Sequence, residues 1–94
     1  METFNNQDLE NIINNFDLEV INKIDIDNTL LIYNYLLENG IYYANDILLG
    51  YIDLFFYHYQ TFKKKFNKLV KYLGNNYLDK LENDIGLFEL MHQF

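Results

Sequence analysis

The chain has 94 residues, a net charge of −7, nine Tyr, eight Phe and no Ser, Cys, Arg, Trp or Pro. That inventory excludes disulfides, thiolate metal ligands, serine and thiol nucleophiles and recognition by guanidinium groups. Half of the residues are apolar, enough to build one core without staples in a domain of this length.

In chain order, the first helical stripe is Leu9, Ile12, Ile13 and Phe16 at i, i+3, i+4, i+7, which predicts a helix from Asn6 to Phe16. Asn5 or Asn6 can cap it, with Asp8 and Glu10 in the favourable first turn. A short helix is expected from Asp17 to Ile24 with Leu18, Ile21 and Ile24 inward. Asp27 then reads as an N-cap and Gly40 as the residue past the helix end. Between them Leu30, Leu31, Ile32, Tyr33, Tyr35, Leu36 and Leu37 are apolar on nearly every side, the mark of a central helix.

Asn45 or Asp46 opens the next element, a single helix with Leu48, Leu49, Ile52, Phe55, Phe56 and Tyr59 inward, Asp46, Gly50, Asp53 and Tyr57 opposite and Leu54 flanking. Thr61 and Gly74 bound the one after it, with Phe62, Phe66, Leu69 and Leu73 inward and Lys64, Lys68 and Lys71 outward. Two short helices complete the chain, Asn76 to Asn83 (Tyr77, Leu78 and Leu81 inward) and about Gly86 to His92. The expected fold is all-α: residues 1–94 as a single compact domain of about five to six short helices packed at steep angles.

Residues 1–15 carry Glu2, Asp8 and Glu10 and no Lys, unlike a signal or transit peptide. The longest apolar stretch, Ile47 to Tyr57, is interrupted by Asp53 and is far shorter than the ~20 residues of a membrane span. A cytoplasmic protein with no membrane contact is the expectation. Asn, Lys, Ile, Tyr and Phe abound while Ala occurs once, at Ala44. Codons for the abundant set are rich in A and T, which points to an A/T-rich genome: that of a low-GC bacterium, its phages and plasmids, or certain viruses and protists.

Charge is segregated. Residues 1–57 hold ten acidic groups against Lys23, a balance of −9, whereas residues 58–73 hold five Lys and no acid. The lysine helix reads as a solvated face drawn to the acidic remainder of the domain, as a phosphate-binding surface formed by Lys63, Lys64, Lys68 and Lys71, or as a dock for an acidic protein. Asp8, Glu10, Asp17, Glu19, Asp25 and Asp27 come in pairs, a layout that also suits mimicry of nucleic-acid phosphates, although capping and first-turn positions account for several of them.

No catalytic, cofactor or metal signature emerges. Glu89-x-x-His92 has the spacing of a helix-borne metal pair, but a dinuclear bundle needs a second such pair. Asp25-x-Asp27-x-Thr29 opens like a calcium loop, yet Leu30 and Leu36 stand where Gly and Glu are required. His58 has no nucleophile beside it in sequence, and the available nucleophiles reduce to Thr29, Thr61, lysines and carboxylates. The four Gly are isolated, so no phosphate loop exists. The chain reads as no enzyme, with no cofactor and no metal.

The order Leu37-x-x-Gly40-Ile41, Ile47-Leu48-Leu49, Phe55-Phe56, Phe62, Phe66, Leu69, Leu73-Gly74 and Tyr77-Leu78, closing on a Leu-rich turn through Met91, resembles about one and a half repeats of mitochondrial transcription termination factor-like (mTERF-like) proteins. The resemblance implies short helix triplets and nucleic-acid contact through a basic concave surface, with Lys64, Lys68 and Lys71 on the contact side. The chain departs from that repeat in lacking its usual Pro and in being acidic overall.

The functional expectation is a non-enzymatic protein-binding module, such as a small acidic inhibitor or accessory protein of a phage or mobile element, of the anti-defence (anti-CRISPR) type. Tyrosines supply large, rigid contact area in interfaces, and Tyr35, Tyr42, Tyr43, Tyr51 and Tyr57 are too many for so small a core. Tyr42, Tyr43, Asp46, Asp53 and Tyr57 are the expected interface residues. The partner would be another protein or a second copy of the chain. The alternative is a nucleic-acid-binding helical module that uses the Lys63–Lys71 helix.

Overall fold

The computed structural model describes residues 5–94 as six α-helices and two 3₁₀ helices, with no strand among the described residues. Helix α1 (Asn6–Ile13) starts with a reciprocal capping box. The Asn5 side chain accepts from the Asp8 amide at 2.9 Å, and the Asp8 carboxylate accepts from the Asn5 amide at 3.4 Å. The helix stops three residues before the expected Phe16. Asn15 turns its side-chain amide back to the Ile12 carbonyl (3.2 Å), the local competition that makes Asn a poor interior residue.

Helix α2 (Leu18–Lys23) buries none of its residues fully, and Leu18, expected inward, is 75% exposed. Ile21 and Ile24 alone of that trio pack on the core.

Helix α3 (Ile26–Glu38) is capped by Asp25, not Asp27: the Asp25 carboxylate accepts from the Asn28 amide at 3.0 Å. Its C-terminus closes as a Schellman motif. The Gly40 amide donates to the Leu37 carbonyl and the Ile41 amide to the Leu36 carbonyl, with Gly40 at φ 87° and Ile41 buried behind it. This helix is the hub, packing against α1, against α4 (Ala44–Gly50), against the first 3₁₀ helix (Ile52–Phe56) and against α5 (Tyr59–Leu73). Its apolar surface is not buried all round, since Leu31 faces solvent.

Residues 44–59 differ most from expectation. In place of one continuous helix, α4 ends at Gly50, Tyr51 leaves helical geometry (φ −137°, ψ 50°) and the 3₁₀ helix follows. The break re-aims the side chains: Leu54, expected on the flank, is buried beside Phe55, while Leu49 and Phe56, expected inward, are exposed. Gly50 is a weak helix former, and the interrupted path buries Leu48, Leu54 and Phe55 together.

Tyr57 and His58 are extended, and α5 begins at Tyr59. His58 caps α5 by accepting from the Gln60 amide at 3.2 Å, in place of the expected Thr61. Phe62, Phe66, Leu69 and Leu73 are all buried, as their spacing predicts, and Gly74 (φ 86°) ends the helix. Lys80 of α6 (Tyr77–Asn83) donates to the terminal Leu73 carbonyl at 2.6 Å, a cation at the negative end of α5. Leu81 of α6 is buried. Leu78, expected inward, is partly exposed, with its methyls against Gly40.

The chain closes with a nine-residue 3₁₀ helix, Ile85–Gln93, against α5, α6 and the first 3₁₀ helix. Its apolar spacing is three: Phe88 and Met91 are buried, and Ile85 and Phe94 are packed against the core. That is the eclipsed stripe of a 3₁₀ helix, which has three residues per turn.

Asn28 ties these parts together. Its side-chain NH₂ donates to the Tyr57 carbonyl and its side-chain oxygen accepts from the Tyr59 amide, both at 2.8 Å. Replacing Asn28 with Ala leaves both backbone groups without this partner and is expected to cost about 1–3 kcal/mol, read as a lower urea midpoint at unchanged slope. A loss within error would show that the joint is held by packing alone.

Candidate functional site

The expected interface residues fall at two places. Tyr42, Tyr43 and Asp46 lie where the α3 Schellman turn leads into α4. Tyr42 is 71% exposed, whereas Tyr43 is half-buried edge-on against Phe88 of the C-terminal 3₁₀ helix (6.5 Å, 79°). The Tyr43 hydroxyl is buried and finds no hydrogen-bond partner among the described residues. Burial, and secondarily the charge of Glu82, pushes its pKa up. The two neighbouring tyrosines therefore have different roles: Tyr42 presents its ring to solvent and Tyr43 packs. Asp46 is exposed in the first turn of α4. With Asp8, its charge adds to the effect of burial in raising the pKa of Tyr33.

Asp53 and Tyr57 meet elsewhere, around a residue that sequence reasoning assigned to no site. The Tyr57 hydroxyl lies 2.6 Å from His92 Nδ1, and His92 Nε2 lies 3.1 Å from Asp53 Oδ2. This is the one ion pair among the described residues, formed when the imidazole is protonated. The neutral imidazole also satisfies both contacts, with Nε2–H donating to the carboxylate and the Nδ1 lone pair accepting from the phenol. Lys65 Nζ stands 4.9 Å from the Tyr57 ring centroid. The three-residue spacing of Gly86, Glu89 and His92 sets them on one face of the 3₁₀ helix. Reading residues 85–94 at period three, and not as an α-helix, was the signal for His92. Both His92 nitrogens are engaged within the protein, and the described residues form no group of three metal-ligating side chains.

The lysines also divide. Lys63 is half-buried over the rings of Tyr59 (5.1 Å) and Tyr35 (5.7 Å), so it leaves the surface stripe, while Lys64, Lys68 and Lys71 are exposed. Their i, i+4, i+7 spacing spans about 10 Å along α5. No lysine pairs with a carboxylate among the described residues, so the lysine face is not neutralised by direct contact with the acidic remainder. Tyr72, 68% exposed at the end of this face, packs on Phe94 (5.8 Å).

No helix among the described residues is long and apolar enough to cross a membrane. No protein-family model matches the chain, and neither a curated protein nor a solved structure shows significant similarity to it.

Two measurements test this geometry. Removing a buried, unpartnered hydroxyl relieves its desolvation penalty, so Tyr43→Phe is expected to leave stability unchanged or raise it by about 1 kcal/mol. A clear loss in denaturant titration would mean that the hydroxyl has a partner. Tyr33, Tyr35 and Tyr43 all have pKa values raised chiefly by burial. Their contribution to stability is present in full below the ordinary phenol value of 10.0 and is lost as pH rises from there through the folded-state values. Ultraviolet titration should accordingly show late-ionising tyrosines that merge with the rest in urea, and the tyrosines' share of native stability should be lost on the alkaline side of that value.

Proposed function

We propose that the chain is a non-enzymatic protein-binding module, a small acidic inhibitor or accessory protein of a phage or mobile element, with anti-defence activity as the natural case. The observation that carries this reading is Tyr42, an aromatic ring 71% exposed on a corner whose backbone is fixed by the α3 Schellman bonds and anchored by buried Ile41. A rigidly presented tyrosine offers contact area at low entropic cost, which is why such residues serve as anchors. Exposed Asp46, at the start of the next helix, supplies a polar rim for the same corner. The A/T-biased composition supports the source, and the partner is another protein.

A tagged pull-down from low-GC bacterial lysate, split into nuclease-treated and untreated halves, tests the reading. A stoichiometric protein should survive nuclease treatment. Tyr42→Ala should weaken its capture by about tenfold or more, as expected for a hot-spot residue, with helicity intact. Capture indifferent to Tyr42→Ala would remove this corner from consideration.

A second reading rests on the exposed Lys64, Lys68 and Lys71, which have no carboxylate partner among the described residues. Under it the chain is a nucleic-acid-binding helical module, as the mTERF-like resemblance implies. Binding would then weaken steeply with salt and vanish in the Lys64→Glu, Lys68→Glu, Lys71→Glu triple variant. Binding retained by that variant would exclude the lysine face.

A further inference from the structure

The Asp53–His92–Tyr57 cluster has the three parts of an activated nucleophile, with a phenol in the role that the sequence reading reserved for threonines, lysines and carboxylates: a hydroxyl, a base in hydrogen-bond contact with it, and a carboxylate that orients the base. The 2.6 Å separation of Tyr57 hydroxyl and His92 Nδ1 is at the close end of the range for proton transfer. The 3.1 Å contact of Nε2 with Asp53 Oδ2 favours the tautomer that leaves Nδ1 free to accept the phenolic proton. Lys65 over the Tyr57 ring stabilises negative charge developing on the phenol. Glu89, one 3₁₀ turn before His92, and His58, directly after Tyr57, are further titratable groups near in sequence.

The cluster is also placed and open. Asn28 fixes the backbone carbonyl of Tyr57, and the eclipsed spacing of Phe88 and Met91 in the core holds the helix that carries His92. The Asp53 side chain is 64% exposed and that of His92 33%, and the Tyr57–His92 contact lies at the surface.

We propose that Tyr57 is an activated nucleophilic tyrosine at which this chain accepts an acyl group from a small activated ester. The phenolic oxygen attacks the carbonyl carbon while its proton passes to His92 Nδ1. The new ester bond to Tyr57 forms and the bond from carbonyl carbon to the leaving alkoxide or aryloxide breaks. The proton on Nδ1 then returns to solvent or to the leaving group. Phosphoryl donors fit less well, because their transfer needs several cations clamping the phosphoryl oxygens and, among the described residues, Lys65 is the one lysine over the phenol ring. Activated esters need no such clamp, and their leaving groups depart without a protein acid.

The test uses p-nitrophenyl acetate with the full chain, following nitrophenolate release and mapping acetylated peptides by mass spectrometry. Tyr42 and Tyr72 are internal references, because they are more exposed than Tyr57 and neither hydroxyl contacts a base among the described residues. Tyr57 is expected to acetylate about tenfold or more faster than either reference, the low end of what a positioned base contributes. His92→Gln should abolish that advantage without changing the reference rates, Asp53→Asn should reduce it, and Tyr57→Phe should remove the fast phase. Equal rates at Tyr57, Tyr42 and Tyr72 in the wild type overturn the proposal, as does a fast phase that survives Tyr57→Phe. The ratio of rates within one folded wild-type chain decides the matter even if His92→Gln fails to fold, and Asp53→Asn, on the surface, provides the second variant.

Discussion

One side-chain amide ties the central helix to the link that leads into α5. Between the first 3₁₀ helix and α5 the chain runs extended for two residues, and an extended link has backbone groups that no helix satisfies. Asn28 meets them from outside, donating to the Tyr57 carbonyl and accepting from the Tyr59 amide. Only a group with a donor and an acceptor on one short planar arm can do both; an aspartate lacks the donor and a leucine lacks both. Because Asn28 stands in the first turn of α3, itself positioned by the Asp25 cap, the direction of α5 and the location of Tyr57 are both referred to the central helix.

Around that joint the aromatic residues do more than fill volume. Tyr35 is met edge-on by Tyr59, Phe62 and Phe66 at 5.6–6.3 Å, while Lys63 extends over the rings of Tyr35 and Tyr59. Lys65 does the same to Tyr57. These lysines contact ring faces and no carboxylate, so α5 is bound to the core partly by its cations and the charge segregation of the sequence persists in the folded protein. The lysines left over, at 64, 68 and 71, face solvent together.

What could be read from the sequence follows from how local each signal is. The α5 stripe of Phe62, Phe66, Leu69 and Leu73 was fully legible, because a four-turn amphipathic pattern ended by Gly74 has one low-energy solution. The central position of α3 was legible from its apolar density. Caps were placed within two or three residues: Asp25 for Asp27 and His58 for Thr61, each a choice between neighbouring acceptors that tertiary context settles. The break at Tyr51 was not legible, because Leu48 to Tyr59 fits an α-helix locally and only burial of Leu54 with Phe55 argues otherwise. Of the candidate site, the exposure of Tyr42 was anticipated, but its separation from Tyr43 depends on Phe88, forty-five residues on from Tyr43. The meeting of Asp53 and Tyr57 at His92 depends on contacts across the whole second half of the chain. No periodicity within a short window encodes such a meeting.

The form of the last helix has a consequence for reach. Nine residues at the 3₁₀ rise cover about 18 Å, against about 13.5 Å for the same residues in α form. The extra extension lets one short segment run from the neighbourhood of Tyr51, near Gly86, to Tyr72, against Phe94. Rewound as an α-helix, the segment would shorten by a few ångströms, and its apolar residues, now 300° apart in place of one full turn, would no longer align. His92 would be drawn away from Asp53 and Tyr57 in the same movement. The C-terminal segment thus works as a strut of fixed length, whose helix type, more than any single contact, decides whether the two ends of the molecule's polar cluster meet.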